Sequence, residues 1–546
     1  MLRSTARNRL LAAAALGVLV VGGPAAVAAQ SGSLPHTDCS TDWPAAWHDA
    51  AHTSSVRGMC TSITPLNVAA LAPAWVTPAS NVVTASPVVV GDTVYVGDWD
   101  GIFTAYDVAT GKVKWQFTIS ATAPVYPGLI VSTATVTSFP DPAGVDGQRL
   151  VVLFGGGSSL WALDAATGKQ LARVDLDPRT AATKAAEAAA GQNPQVNVES
   201  SPAVADVSVG GAQDRRIYVG MDVHDDAGVG RTGVIALHLV RGDTGWSLDP
   251  IWKLDAETGE VYSGTAGLTA NSGTGFGCGG VWSSPAVDVE DNLVTFGTAS
   301  CSHAEDAQAA GANWSERMVA ARADTGHIVW AFRPAKTVAE AHLDDDFGAS
   351  ANVFTTESGA HLIGEGRKSG CYYAKYAANG APAWRNCTAT AGHIGDQFAI
   401  GGYLGTTAVQ TDSRGRALRI IGATAVAVPH KAGEVPNATV VVRAMDASTG
   451  KTLWTYRLAG PTYSSVSVAG DIVFVPDTFS STLIALDGRF GVPLAVRPIA
   501  GPPSSTLTVS GGSVFLAAGT SESGIPGLNK TGAVYRLSLP AALLSS

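Results

Sequence analysis

The phrase Ala-x-Asp-x-x-Thr-Gly-x-x-x-Trp stands whole at 105–115 (AYDVATGKVKW) and again at 444–454 (AMDASTGKTLW). It returns blurred as ALDAATGKQLA, ARADTGHIVW and AKYAANGAPAW. A phrase repeated at irregular intervals over most of a long chain marks one structural unit copied many times, stacked on its neighbours to bury its apolar faces. The unit that opens at Ser86 contains four short β runs, SPVVV, TVYVG, IFTAYD and KVKWQF, each bounded by Gly or Asp turn chemistry. Within the phrase the Asp bonds amides of its own turn and the Gly supplies a positive φ. The phrase therefore predicts a turn between a third and a fourth strand, with its Trp on the outer strand wedged against the next unit. By area, burying such a ring stabilises by at most roughly 4–6 kcal/mol.

Inner runs begin near Ser86, Val131, Ser201, Ser284, Ser350, Thr406, Ser464 and Ser504, which predicts an all-β, eight-bladed β-propeller of four-stranded blades. The last unit stops after three strands, while NVAALAPAWVT (67–77) offers a spare fourth strand carrying Trp75. Pairing the termini in one blade would remove the open sheet edges. The insertions at 179–192 and 337–347 read as short helices or loops on a face of the ring.

Charged residues make up only 15% of the chain against 62 glycines, in keeping with compact, turn-rich β structure. A net charge of −10 without a Lys/Arg run argues against a nucleic-acid partner. Residues 1–29 read as a secretory signal peptide, with a retained N-terminal anchor as the rival reading, 30–66 as an N-terminal arm and 67–546 as the single propeller. No later segment is apolar enough to span a membrane, so a secreted or cell-envelope location is expected. The six cysteines are expected to pair by proximity as Cys39–Cys60, Cys278–Cys301 and Cys371–Cys387, each bridge worth about 3 kcal/mol. There is no C-x-x-C-H for a covalent haem, no G-x-S-x-G elbow, and GFGCGG lacks the Lys of a phosphate loop. His48 and Asp49 are expected to pack the arm on the ring; His224, with Asp225 and Asp226, reads as a surface loop.

The repeated phrase, together with DWPAAWHDAAHTSSV, VYVGDWDGIFTAYD, VWSSPAVDVEDNLVTFGTAS and DDDFGASANVF...GEGRKSGCYYA, resembles the pyrroloquinoline-quinone (PQQ) repeat propellers, in particular their polyvinyl-alcohol-dehydrogenase-like branch. The resemblance covers essentially the whole mature chain. It implies a PQQ cofactor in the central funnel above Trp282, with Gly279 and Gly280 allowing close approach of a ligand to the backbone. It implies Asp346 as the base that takes the alcohol proton, and Lys368 as the ammonium beside the quinone oxygens. Trp282 reads alternatively as an inter-blade packing residue, Asp344 and Asp345 as a solvated loop, and Arg367 as facing water.

In the family a divalent cation, usually calcium, polarises the quinone. Here Asp226, Ser300 and Asp346 are the ligand candidates, with Ser300 standing where the family has Asn. Thr84 replaces a family Glu, Glu199 enters where a hydroxyl is expected, and an adjacent Cys-Cys pair is missing. The expected function is oxidation of a small-molecule or polymeric alcohol or polyol, with electrons leaving to a separate acceptor. The alternative is a non-catalytic propeller serving as a binding or assembly scaffold.

Overall fold

The structure is a computed structural model that describes residues 39–543, apart from 121–127, most of 178–195, 224–231, 270–278, 301–313, 336–344, most of 388–401, 424–440, parts of 459–463, 479 and 520–531. The first blade shows why the sequence folds as it does. Its strands Val88–Val90, Thr93–Gly97, Ile102–Asp107 and Val113–Thr118 pair in sequence order. At the turn into the last strand, Asp107 Oδ1 accepts the Thr110 amide at 2.8 Å and the Thr110 hydroxyl at 2.6 Å. Gly111 takes φ 68° there, a conformation that favours glycine.

Eight such blades are present, with innermost strands Val88–Val90, Thr135–Val145, Ala203–Val209, Ala286–Asp288, Asn352–Thr355, Ala408–Thr411, Ser467–Ala469 and Thr508–Ser510, numbered here 1 to 8. Each inner strand touches that of the next blade, and the eighth touches the first, so the blades form a ring. Blade 8 is composite: its outer strand is Ala72–Pro78, antiparallel to Ala533–Ser538, with Trp75 opposite Arg536. The ring thus closes through its two ends, as the sequence predicts.

The core lies in the seams between blades; between blades 1 and 2, for example, Val88, Phe103, Val136, Phe154 and Trp161 pack together. The repeated Trp locks each seam from outside. The indole N–H groups of Trp75, Trp115, Trp252, Trp330, Trp384 and Trp454 donate to carbonyls of the following blade's turn at 2.7–3.3 Å. The turn glycine lies flat under the ring: a Cβ at Gly450 would come 2.3 Å from Trp384, and one at Gly111 2.7 Å from Trp75.

The arm does more than rest on the ring. Its carbonyls at Trp43, Pro44, Ala50, Ala51, Thr53 and Ser54 accept the inward amides of Val89, Val136, Val287, Val353, Val409 and Val468, at 2.7–3.0 Å, in blades 1, 2, 4, 5, 6 and 7. Winding inside so narrow a circle bends the backbone sharply, and Trp47, His48, His52 and Ser54 all take positive φ. Asp49 braces the bend by accepting the Ala51 and Thr53 amides at 3.1 Å. Cys39–Cys60 ties the two ends of this segment, and Cys371–Cys387 ties blade 5. Cys278 and Cys301 lie outside the described residues, as do most of 179–192 and 337–344.

Trp75→Ala removes the indole from the seam that closes the ring, and should destabilise by about 3–5 kcal/mol in urea titration. A second expectation concerns pH. His52 Nδ1–H donates to Ala351 O at 3.1 Å, and burial pushes its imidazole down to about 4 against the opposing pull of Asp49. The unfolded chain takes up this proton near the ordinary value of about 6.5, before the folded one does. The stability His52 contributes is present above that value and is lost as pH falls towards 4. Tm measured across this window should fall with a steeper slope in the wild type than in His52→Asn.

Candidate active site

Side chains alternate along each inner strand, so residues two apart line the axle in successive tiers. The middle tier is a belt of hydroxyls: Ser86, Thr133, Ser201, Ser284, Ser350, Thr406, Ser465 and Thr506, one per blade. Seven times the amide of one member donates to the hydroxyl oxygen of the next, at 2.8–3.0 Å. The arm enters the belt at blade 7, where Trp47 Nε1–H donates to Ser465 Oγ at 2.9 Å. Below the belt lies the arm. Above it, two residues earlier in seven of the blades, come Thr84, Val131, Glu199, Trp282, Gly348, Leu404 and Ser504. Together these tiers enclose a cavity of about 190 Å³.

Three of the residues singled out in the sequence meet at this upper tier. Asp346 Oδ2 accepts Trp282 Nε1–H at 3.3 Å and the Lys368 ammonium at 3.0 Å. The ammonium lies 5.6 Å from the centroid of the indole. The Ser300 amide donates to Asp346 Oδ1. Lys368 N–H donates to Asp346 O at 2.9 Å, so backbone and side chain of the two residues are tied twice. Trp282 is half-buried, and Gly348 closes on its edge so tightly that a Cβ there would come 2.6 Å from the ring. Glu199 lines the same cavity from the neighbouring blade.

Other expectations fare differently. Gly280 opens space for a protein group: a Cβ there would collide with Asp222 Oδ1, a carboxylate the sequence reading passed over. Asp222 is buried near the end of the strand Ala212–Val223, the second strand of blade 3. Asp345 and Arg367, expected in water, are each only 3% exposed. The reason is pairing across the seam: Arg367 Nε–H donates to Asp345 O at 2.6 Å, and its guanidinium lies 3.6 Å from the Asp345 carboxylate and 3.5 Å from Glu316. Arg333 reaches Glu316 from the other side at 3.2 Å. His224, Asp225, Asp226 and Asp344 lie outside the described residues.

The described donors do not assemble the expected calcium cage. Ser300 turns an N–H donor towards Asp346, and both carboxylate oxygens are already engaged by donors. Among the described residues, the metal-capable group is Asp288, Asp291 and His361. It sits at the far end of blade 4's inner strand from Trp282 and does not line the cavity.

The protein is thus a closed propeller whose arm lies at one end of the axle and whose indole, acid and amine gather on the other side of the hydroxyl belt. The chain belongs to the β-propeller family described as "Glucose/ethanol/alcohol dehydrogenase, beta-propeller domain", which residues 43–387 match. Residues 437–535 match "Outer membrane protein assembly factor BamB". A polyvinylalcohol dehydrogenase from Pseudomonas sp is 23% identical over 499 residues, covering 80% of this chain and 71% of that protein. A europium-containing methanol dehydrogenase shares the fold with a TM-score of 0.65 at 17% identity, over 91% of this chain and 98% of its own. A quinohemoprotein alcohol dehydrogenase from Pseudomonas putida does so at 0.63 and 16%, over 91% and 80%.

Arg367→Met would leave Asp345 and Glu316 facing each other in a buried seam. Chemical denaturation should show a loss of roughly 3–5 kcal/mol.

Proposed function

We propose that this chain is an exported quinoprotein oxidoreductase that oxidises an alcohol or polyol with PQQ and passes the electrons to a separate acceptor. The observation that carries this reading is the meeting of Trp282, which lines the axial cavity, with Asp346 and Lys368. The residues present fit a planar, anionic quinone. Trp282 would hold it by stacking, Lys368 by pairing with an anionic or carbonyl oxygen, and the neutral tier of Thr84, Val131 and Ser504 leaves room around it. When bound, the quinone supplies the hydride acceptor.

Asp346 would receive the substrate hydroxyl proton on Oδ2, the oxygen that meets Lys368 and Trp282. Ser300 N–H stays on Oδ1 and fixes the plane of the carboxylate. Trp282 N–H and the ammonium keep the acid from rotating away. Glu199 adds a second negative group at the same tier, placed to accept a hydrogen bond from a hydroxylated substrate. No calcium step is assigned, because the described donors do not form its cage.

Export is supported by the two disulfides and by the basic, then apolar, N-terminal sequence. No helix among the described residues is long and apolar enough to cross a membrane. The lack of a haem-attachment motif supports a separate acceptor. A second reading, a non-catalytic binding or assembly scaffold, draws on the match at 437–535 and on Ser300 and Thr84 standing where the family has Asn and Glu.

The test is titration of the purified chain with PQQ, with and without calcium, followed by absorbance and dye-linked oxidation of simple alcohols and polyvinyl alcohol. Quinone binding and turnover are expected, with Asp346→Asn lowering kcat at least about 100-fold while binding stays nearly unchanged. No binding and no turnover would leave the scaffold reading.

A further inference from the structure

Glu365 lies in the strand His361–Gly366 of blade 5, opposite Tyr373, and is 0% exposed. Neither of its carboxyl oxygens has a hydrogen-bond partner. Ile363, two residues earlier on the same face, packs in the seam with blade 4, so Glu365 enters that seam too. There it meets Gly297, the last residue of a blade 4 strand. The space a Cβ would fill at Gly297 holds Glu365 Oε1 at 2.2 Å and Phe347 O at 2.5 Å.

Phe347 is itself buried, and among the described residues no group donates to its carbonyl. Two acceptors without a donor therefore crowd one point, an arrangement that costs free energy unless a proton sits between them. The charged groups around the seam are already matched: Arg367 with Asp345 and Glu316, and Lys368 with Asp346. The remaining titratable neighbours, Tyr372 and Tyr373, are phenols held neutral chiefly by burial.

We propose that Glu365 is a permanently neutral acid whose O–H donates to the Phe347 carbonyl, making it a positioning residue that fixes the adjacent Asp346 in the hub. The positioning role rests on the function proposed above; the protonation state does not. Burial also pushes the Glu365 carboxyl well above the ordinary carboxylate range, in line with this geometry. Every residue of the segment then has its own restraint. Asp345 is held by Arg367, Asp346 by Lys368, Trp282 and Ser300, Phe347 by Glu365, and Gly348 by the edge of Trp282.

The test compares Glu365→Gln, which keeps a neutral donor, with Glu365→Leu, which removes it. A raised folded-state pKa means stability is lost as pH rises above the unfolded value of about 4.3. Tm of the Gln variant should therefore gain on the wild type as pH increases from there; parallel curves would overturn the protonation claim. Hydrogen exchange over 345–350 should match the wild type in the Gln variant and run at least about tenfold faster in the Leu variant. In the quinone-loaded protein, the acidic limb of the kcat/KM profile should be the same for wild type and Gln, while kcat falls roughly 10- to 100-fold for Leu. A Gln variant that behaves like Leu, or a Leu variant with unchanged exchange, would refute the positioning role. A wild type that binds no quinone counts against the proposed function alone, because melting and exchange require no cofactor.

Discussion

The inner edge of the innermost strand is the constraint on which everything else in this ring depends. Each such strand turns unpaired amides towards the axle, where a closed ring offers no further strand to pair them, and a buried amide without a partner costs about as much as a lost hydrogen bond. Two amides three residues apart are satisfied by different means. The first, in blade after blade, goes to the hydroxyl of the neighbouring Ser or Thr; the second goes to a carbonyl of the arm. Ser284 and Val287, Ser350 and Val353, and Thr406 and Val409 show the pair side by side. The arm is thus a curled strand substitute that six blades share.

This solution decides where chemistry can sit. Below the belt the axle is filled by backbone from the arm, with Trp47 projecting up into the belt itself. Above it the inward positions are free to vary, because their neighbours already satisfy the backbone. Six of the described upper positions carry Thr, Val, Trp, Gly, Leu and Ser, and Glu199 is the one acid among them. Variation confined to a tier standing on a rigid belt is the arrangement expected when a scaffold is kept and a site is changed.

Much of the fold was legible because its signals are local. Asp107, Thr110, Gly111 and the Trp four residues further on lie within a few residues of one another, and the spare strand at 67–77 carries a Trp, Trp75, as the other outer strands do. The arm's path was not legible, since it is held by main-chain carbonyls that leave no mark on residue type. Its positive-φ residues, Trp47, His48, His52 and Ser54, are types that give no glycine-like warning. The hub was legible in part, and through resemblance: nothing in the spacing of Trp282, Asp346 and Lys368 brings them together. The burial of Asp345 and Arg367 was hidden because Arg367 stands 22 residues from Asp345 and 51 from Glu316, which is on a different blade. A charged residue reads as solvated until its counterion is located.

Two adjacent acids, Asp345 and Asp346, consequently have separate fates. Asp345 is consumed by a guanidinium whose planar fork also reaches Glu316, which in turn answers to Arg333; that group is rigid, internally paired and turned into the seam. Asp346 is matched by the Lys368 ammonium, on a flexible stem, beside Trp282. A Lys ammonium can swing away from a carboxylate oxygen by rotating a few bonds, while Arg in its fork cannot without breaking the seam. The seam thus holds its charges in a fork shared between two blades, while the pair of Lys368 and Asp346 joins the indole of Trp282.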